Sequence, residues 1–262
     1  MRLSRSLDSA SLLLLVACTA CVHRVPTAQL DAIVTDRPDF TESAQTVAAG
    51  HTQVEAGQTF AREADVSSFS LGEVLLRTGV SRRVELRTAV NSYSVQAGGG
   101  NSVAGFEDSN LGAKVSLLDA PASPSWRPAL AVIAGFSVPT GGSAYRGGRA
   151  LPEAKLLAAW DLTDRLAFSS NLNWSRAEYD RGLGDEWSAS ASLGIGVTEK
   201  VGAYLETFGF GDHFGAWGQR AFVNGGVTYL ISNSFQLDLR AGAGPSGPRG
   251  DFFTGVGLSR RW

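Results

Sequence analysis

The chain has 262 residues, of which 18% are charged, and a formal net charge of −2; this balance offers no basic field to a nucleic acid. Glycine is abundant at 31 residues, and the 2 cysteines fall at Cys18 and Cys21, so disulfides, thiolate chemistry and cysteine-metal sites are excluded from the rest of the chain. Mean hydropathy is −0.01, yet beyond residue 30 no stretch approaches the ~20 consecutive apolar residues of a membrane helix.

Arg2 and Arg5 precede a short apolar run at residues 11–17, the arrangement of an export signal. Leu15-Val16-Ala17-Cys18 is similar to a lipobox, which would leave Cys18 lipidated; cleavage near Ala20 or Ala28 is the other reading. Residues 1–28 are therefore expected to be a signal segment, residues 29–50 a periplasmic lead or plug, and residues 51–262 one barrel domain. In the lead, Pro38 enforces extended backbone, and Arg37 stands between Asp36 and Asp39, which are placed to pin it. A charged, rigid stretch ahead of Glu55 is expected to fold into the periplasmic mouth.

Period-2 alternation predicts strands at 51–60, 73–81, 83–93, 109–118, 128–138, 154–162, 164–174, 187–197, 200–210, 221–231, 233–243 and 252–262. Tight turns carrying Ser81, Thr163, Thr198 and Ser232, with a medium turn at 119–127, alternate with longer connections at 61–72, 94–108, 139–153, 175–186, 211–220 and 244–251. Short turns on one side and long loops on the other describe a transmembrane barrel, which hides its hydrophobicity in every second residue. The expected fold is all-β: a single antiparallel transmembrane barrel of about twelve strands with both termini in the periplasm.

Alternation assigns the faces. Leu86, Val90, Leu172, Leu193, Ile195, Leu237 and Leu239 are expected to face lipid, with Trp160, Trp174, Trp187, Tyr229 and Trp262 as interfacial aromatics. Inward rows carry Glu55, Glu73, Arg77, Glu85, Arg87, Lys114, Glu153, Lys155, Glu206, Asp238 and Arg240, with Asn91, Asn171, Asn173, Ser188, Ser190, Ser192 and Asn224. Isolated charges in a narrow, low-dielectric lumen cost several kcal/mol. These groups are expected to pair, either as a packed salt-bridge network or as the wall of a polar channel. The last strand alternates Phe252, Thr254, Val256, Leu258 and Arg260 outward and ends on Trp262, which resembles the C-terminal assembly signal of outer-membrane barrels.

Thr35-Asp36-Arg37-Pro38-Asp39-Phe40-Thr41-Glu42-Ser43 with Val47, Gly50, Gln53, Glu55 and Gly57, then residues 72–79, 108–114 and 135–141, resemble in order a large bacterial family. It is the family of outer-membrane transport proteins associated with the meta-pathway of phenol degradation. The resemblance runs over residues 35–262 and implies an export signal, an outer-membrane barrel and transport. The family's aromatic cargo is an inference from operon context, and the resemblance brings no catalytic motif.

Chemistry is otherwise sparse. Of 3 histidines, only His213 falls in a long outer connection. Its neighbour Asp212 points the opposite way in extended backbone, and no Gly-x-Ser-x-Gly elbow occurs. Zinc spacing is absent, and the Gly98–100, Gly141–142 and Gly147–148 runs precede no helix that could cap a phosphate. Tyr145, Arg146 and Arg149 are candidates to touch lipopolysaccharide. We expect no enzyme and no cofactor. The expected function is passive passage of a small solute, aromatic if the resemblance extends to cargo, with lipid, lipopolysaccharide and the barrel-assembly machinery as partners. A non-conducting structural or ligand-binding barrel is the first alternative, and an outer-membrane hydrolase the second.

Overall fold

The computed structural model describes residues 31–121, 126–179, 182–211, 217–244 and 251–262. The expected signal at 1–28 with Cys18, and the Asp212–His213 pair, lie outside the described residues. Fourteen strands follow in order: β1 (Thr52–Glu63), β2 (Val66–Gly79), β3 (Val84–Val90), β4 (Tyr93–Gly98), β5 (Asn101–Phe106), β6 (Ser109–Leu118) and β7 (Ala129–Val138), then β8 (Pro152–Asp161), β9 (Leu166–Tyr179), β10 (Gly182–Gly196), β11 (Val201–Gly211), β12 (Trp217–Ser232), β13 (Phe235–Gly244) and β14 (Asp251–Arg261). All pair antiparallel in one sheet, and β1 pairs with both β2 and β14, closing it. β3 and β4 lie end to end along β2, and β5 and β6 lie likewise along β4 and β3. Each of these two pairs is one stave interrupted for two residues, at 91–92 and at 107–108. The wall therefore has twelve staves. Apart from the outer edge of β5, which no strand joins, closure leaves no unpaired edge, the condition for strands in lipid.

An even stave count brings both ends of the chain to one rim. There the Thr52 and Trp262 backbones exchange N–H···O bonds of 3.2 and 2.9 Å. The tight turns lie at the same, inner rim, and a shared device makes three of them. The Oγ of Ser81 accepts from the N–H groups of Arg83 and Val84, that of Thr163 from Arg165 and Leu166, and that of Thr198 from Lys200 and Val201. A hydroxyl at the first turn position thus satisfies the donors that the tight reversal leaves over.

Much of what the sequence presents as long outer connections is strand. β1 and β2 run on to a reversal at Ala64–Asp65, β4 and β5 fill 93–106, and β9 and β10 extend across 175–186. Ser, Thr and Gly on both faces hide alternation from a hydrophobicity reading but do not oppose pairing. Residues 139–151 do form coil, and there Tyr145 Oη donates to Val103 O while Arg149 pairs with Glu178 at 3.1 Å.

The wall's two faces differ as expected. Leu86, Val90, Leu172, Trp187, Leu193, Ile195, Leu237, Leu239, Val256 and Leu258 are all exposed on the outside. From Trp187 to Val197 this row covers about 34 Å of strand at ~3.4 Å per residue, or roughly 25 Å along the axis at a tilt near 40°, the height of a hydrocarbon band. Trp160, Tyr229 and Trp262 stand at the inner rim. Trp174 and Trp187 pair across β9 and β10 well inside the strand ends, because the hairpin projects beyond the band.

One irregularity changes the facing parity. In β2, Glu73 and Val74 lie opposite the single residue Ala56. Gly72 and Glu73 take φ of +100° and +39°, the left-handed region, which costs a non-glycine residue roughly 1–2 kcal/mol. Below this bulge odd-numbered Arg77 faces the lumen; above it odd-numbered Leu71 faces out. The bulge swings Glu73 inward.

Leu239 is 52% exposed at mid-strand in β13, so no contact within the protein protects it. Leu239→Arg is expected to cost about 2–4 kcal/mol in a bilayer, measured as a lower urea midpoint in liposomes. A neutral result would mean that this face meets water.

Candidate functional site

Residues 31–50 do not stop at the mouth; they run up the lumen and return. The segment enters beside the β12–β13 turn, where Ile33 N donates to Asn233 O at 2.8 Å. It reaches its highest level at Asp39, Phe40 and Thr41. It then descends through Ala44 and Val47 to a parallel bridge between Ala49 and Gly79. Extended backbone inside a closed barrel cannot join the sheet, so its N–H groups need other acceptors. The inward carboxylates supply them. Glu55 accepts from the N–H of Asp36 and of Arg37, Glu85 from Val47, and Glu206 from Phe40 and Thr41.

Asp36 is the hub on the β2–β3–β6 side. It pairs with Arg87, with Lys114 at 3.1 Å and with Arg77 at 3.5 Å. Arg77 also bridges Glu55 at 2.8 Å and Glu85 at 2.9 Å. Lys114, fully buried at 0% exposure, donates in addition to the carbonyls of Ser43 at 2.7 Å and Gln45 at 3.3 Å. Burial opposes the charge on Asp36, but Arg77, Lys114 and Arg87 outweigh it and hold the carboxyl well below its ordinary range. Glu42 then joins Arg87 at 2.8 Å to Lys155 at 3.0 Å. Four carboxylates (Asp36, Glu42, Glu55, Glu85) thus meet four cations (Arg77, Arg87, Lys114, Lys155).

Arg37 turns away from its sequence neighbours. Instead of being held by Asp36 and Asp39, it reaches Glu73 at 2.6 Å on β2 and Asp238 at 3.3 Å on β13. Its guanidinium lies over Gly57 and Gly257, which face each other across the β1–β14 seam. A Cβ on either glycine would collide with it. Arg240 stands near Glu73 at 3.8 Å and donates to Pro38 O at 2.9 Å and Thr59 Oγ1 at 2.7 Å.

Glu206 differs from the ion-pair partner expected of it. Neutral donors surround it: the two segment N–H groups at 2.9 and 2.6 Å, Thr41 Oγ1 at 2.6 Å and Asn224 Nδ2 at 2.7 Å. Beside it, Asp39 accepts from Ser192 Oγ at 3.1 Å. Burial, and then the charge of Glu206, push the Asp39 carboxyl well above its ordinary range.

Two cavities flank the segment, the outer bounded mainly by β2, β3 and β6 and the inner by β7–β9, with β7 and β8 bordering both. The outer one, of about 300 Å³, is lined by Glu42, Glu73, Arg87, Ile133, Glu153 and Lys155 among others. The inner one, of about 220 Å³, is lined by Thr41, Ser43, Ala129, Ala159, Ala167 and Ser169 among others. Between them Ala44 packs on Ala131 and Leu157, and the Glu42 backbone meets the Asn171 side-chain amide. Of the other inward polar residues, Ser190 meets Thr41 at 2.8 Å, Asn173 meets Ser188 at 3.1 Å, and Asn91 lies farther out with Ser109.

Above Glu206 the β11–β14 side of the lumen is aromatic, which the charge-centred reading missed. Phe40 stacks on Phe208 with centroids 4.5 Å apart, and Phe208 on Phe222 at 5.1 Å. Phe253 borders both at 6.2 and 6.1 Å. The signal was present: Phe208, Phe222 and Phe253 share inward parity with Glu206, Asn224 and Gly257.

The raised Asp39 carboxyl sets a sign. Such a group holds its proton more tightly when the segment is seated than when it is released. Seating is therefore firmest at pH below the ordinary carboxylate range and weakens as pH rises toward the raised value. Asp39→Asn removes this penalty. Amide exchange at Phe40 and Thr41, corrected for its intrinsic pH dependence, is expected to slow several-fold near pH 8 and to change little near pH 4.

The family profile described as "Putative MetA-pathway of phenol degradation" matches residues 35–262. No curated protein matches the chain. Among solved structures, an outer membrane channel from Pseudomonas putida F1 aligns with a TM-score of 0.62 at 12% identity, over 86% of this chain and 100% of that one. The KdgM porin, crystallised with disordered oligogalacturonate, aligns with a TM-score of 0.53 at 10% identity, over 79% of this chain and 98% of that one. The NanC porin gives 0.52 at 10% identity, over 79% and 98%. At such identities the likeness establishes the fold, which is that of outer-membrane barrels; the profile match, over most of the chain, establishes that the chain belongs to the MetA-pathway family of phenol degradation.

Proposed function

We propose that this chain is an outer-membrane barrel for the passive passage of a small solute, and that residues 31–50 are the plug that closes its lumen. The tight-turn rim is periplasmic in this reading, and Trp262 belongs to the terminal signal read by the assembly machinery. The observation that carries the proposal is the pair of cavities on either side of residues 41–44. Withdrawing residues 41–44 would join them into a single path beside β7 and β8, without any change in the barrel itself. The outer cavity carries Glu42, Glu73, Glu107, Asp108 and Glu153 against Arg87 and Lys155, which favours neutral or cationic solutes over anions. The inward phenylalanines, together with the family's description, favour an aromatic one.

Single-channel conductance in a planar bilayer tests this, with a heat-modifiable gel shift to verify folding. The whole barrel should give small or infrequent steps, and deletion of residues 31–44 should give larger, long-lived ones. Gly257→Leu should move in the same direction, because its side chain occupies the place of the Arg37 guanidinium. Unchanged conductance after the deletion would remove the plug. Silence from every folded variant would instead make this a sealed structural or ligand-binding barrel.

Asp36→Asn leaves Arg77, Arg87 and Lys114 facing one another with less negative charge between them. Breaking a buried ion pair from one side costs about 3–5 kcal/mol. This variant should therefore release the segment while Leu239 and the rest of the outer belt stay folded, seen as proteolysis after Phe40 in an otherwise protected chain.

A further inference from the structure

Among the described residues, the ring of Phe40 is the one member of the lumen's phenylalanine stack that does not come from the wall. Phe208, Phe210, Phe222 and Phe253 are carried by β11, β12 and β14, whereas Phe40 is lent by the segment. It lies on Phe208 at 4.5 Å with an interplanar angle of 10°, and meets Phe210 edge-on at 5.6 Å and 75°. Behind Phe208 the stack continues to Phe222 at 5.1 Å and 18°. Arg240, at 5.7 Å over Phe253, closes one side. Phe40 therefore fills a slot whose floor is a flat ring and whose wall is a ring edge, the two arrangements that aromatic groups prefer.

We propose that the face of Phe208 covered by Phe40 is a binding site for the planar aromatic ring of a solute, and that solute and Phe40 compete for it. The proposal rests on reading the lumen as a solute path. Competition couples binding to the segment's tip. The N–H groups of Phe40 and Thr41 hold Glu206, two positions before Phe208 on the same strand, so a ring in the slot displaces Phe40 and pulls at those bonds. Asp36 and Arg37, fixed by ion pairs to β2, β3, β6 and β13, stay in place. The tip moves and the anchor does not. Binding is weakened by the fraction of time Phe40 fills the slot, as for any site whose competent state is partly populated.

The test is binding of 4-fluorophenol, followed by ¹⁹F NMR, to the full barrel in lipid nanodiscs, with empty nanodiscs as the blank. Phe40→Ala should bind the probe about two- to tenfold more tightly than the unsubstituted chain, the range set by the strength of one aromatic pair. Phe208→Ala, checked for folding by heat modifiability, should bind at least tenfold more weakly. Phe208→Tyr should keep the affinity within about twofold. Cyclohexanol, similar in size but not flat, should compete poorly. Equal or weaker binding by Phe40→Ala would overturn the proposal, as would full retention in Phe208→Ala or equal competition by cyclohexanol. The two readings fail separately. Predicted binding by a barrel that never conducts sinks only the channel, and a conducting barrel whose probe binding ignores Phe40 sinks only the slot.

Discussion

The constraint on which this molecule turns is that a carboxylate inside a narrow barrel must be satisfied without bulk water. Two kinds of partner are available, cations from neighbouring staves and N–H groups from a strand that has no sheet to join. This lumen uses both at once. Glu55 and Glu85 each take an arginine from the wall and N–H groups from residues 36–47, while Glu206 is satisfied by neutral donors alone. The extended segment needs acceptors as much as the carboxylates need donors. Each therefore explains why the other is tolerated where it lies, since an unpaired member of either set would cost several kcal/mol.

Charge balance is local. The four-by-four cluster around Asp36 lies toward β2, β3, β6 and β8, and the Arg37–Glu73–Asp238 group lies across the β1–β14 seam. The second group depends on two backbone features. The left-handed turn at Gly72–Glu73 aims Glu73 inward, and the facing pair Gly57–Gly257 leaves room for a guanidinium against the wall. Neither feature stabilises the sheet itself. Both exact a cost in backbone conformation or lost side-chain packing, and the contact with Arg37 offsets it.

The barrel was readable because its wall obeys one rule over most of its length. Alternation gave the stave positions from Val84 to Trp262, and Ser or Thr at the first turn position marked the inner rim. The rule lapsed where both faces are polar or small, so the outer hairpins at 61–72 and 94–108 read as loops although they are strands. The inward charges were legible by parity. Many of their partners were not, because those partners come from residues 31–50, a stretch without periodicity, as Asp36 does for Arg87 and Lys114 and the backbone of Phe40 and Thr41 for Glu206. Arg37 illustrates this: Asp36 is its neighbour in the chain, but extended backbone sends adjacent side chains in opposite directions, and its actual partners are Glu73 and Asp238.

The segment is held unevenly, and the unevenness has a direction. Its rising half carries Asp36 and Arg37, bound by charge-assisted contacts to four staves. Its tip, from Asp39 to Thr41, is held by one ring stack and by neutral donors on Glu206, with Asp39 pressed against a like charge. The anchor's ion pairs carry opposite charges on both partners, whereas Glu206 meets only neutral donors and has the carboxyl of Asp39 beside it, so thermal opening begins at the tip and leaves the anchor seated. The tip and the descending turn after it are also what separate the two cavities. The weakest part of the segment therefore adjoins the part whose movement changes the lumen most; that movement breaks the pairs of Glu42 with Arg87 and Lys155 and leaves those of Asp36 and Arg37, which keep the rest in register.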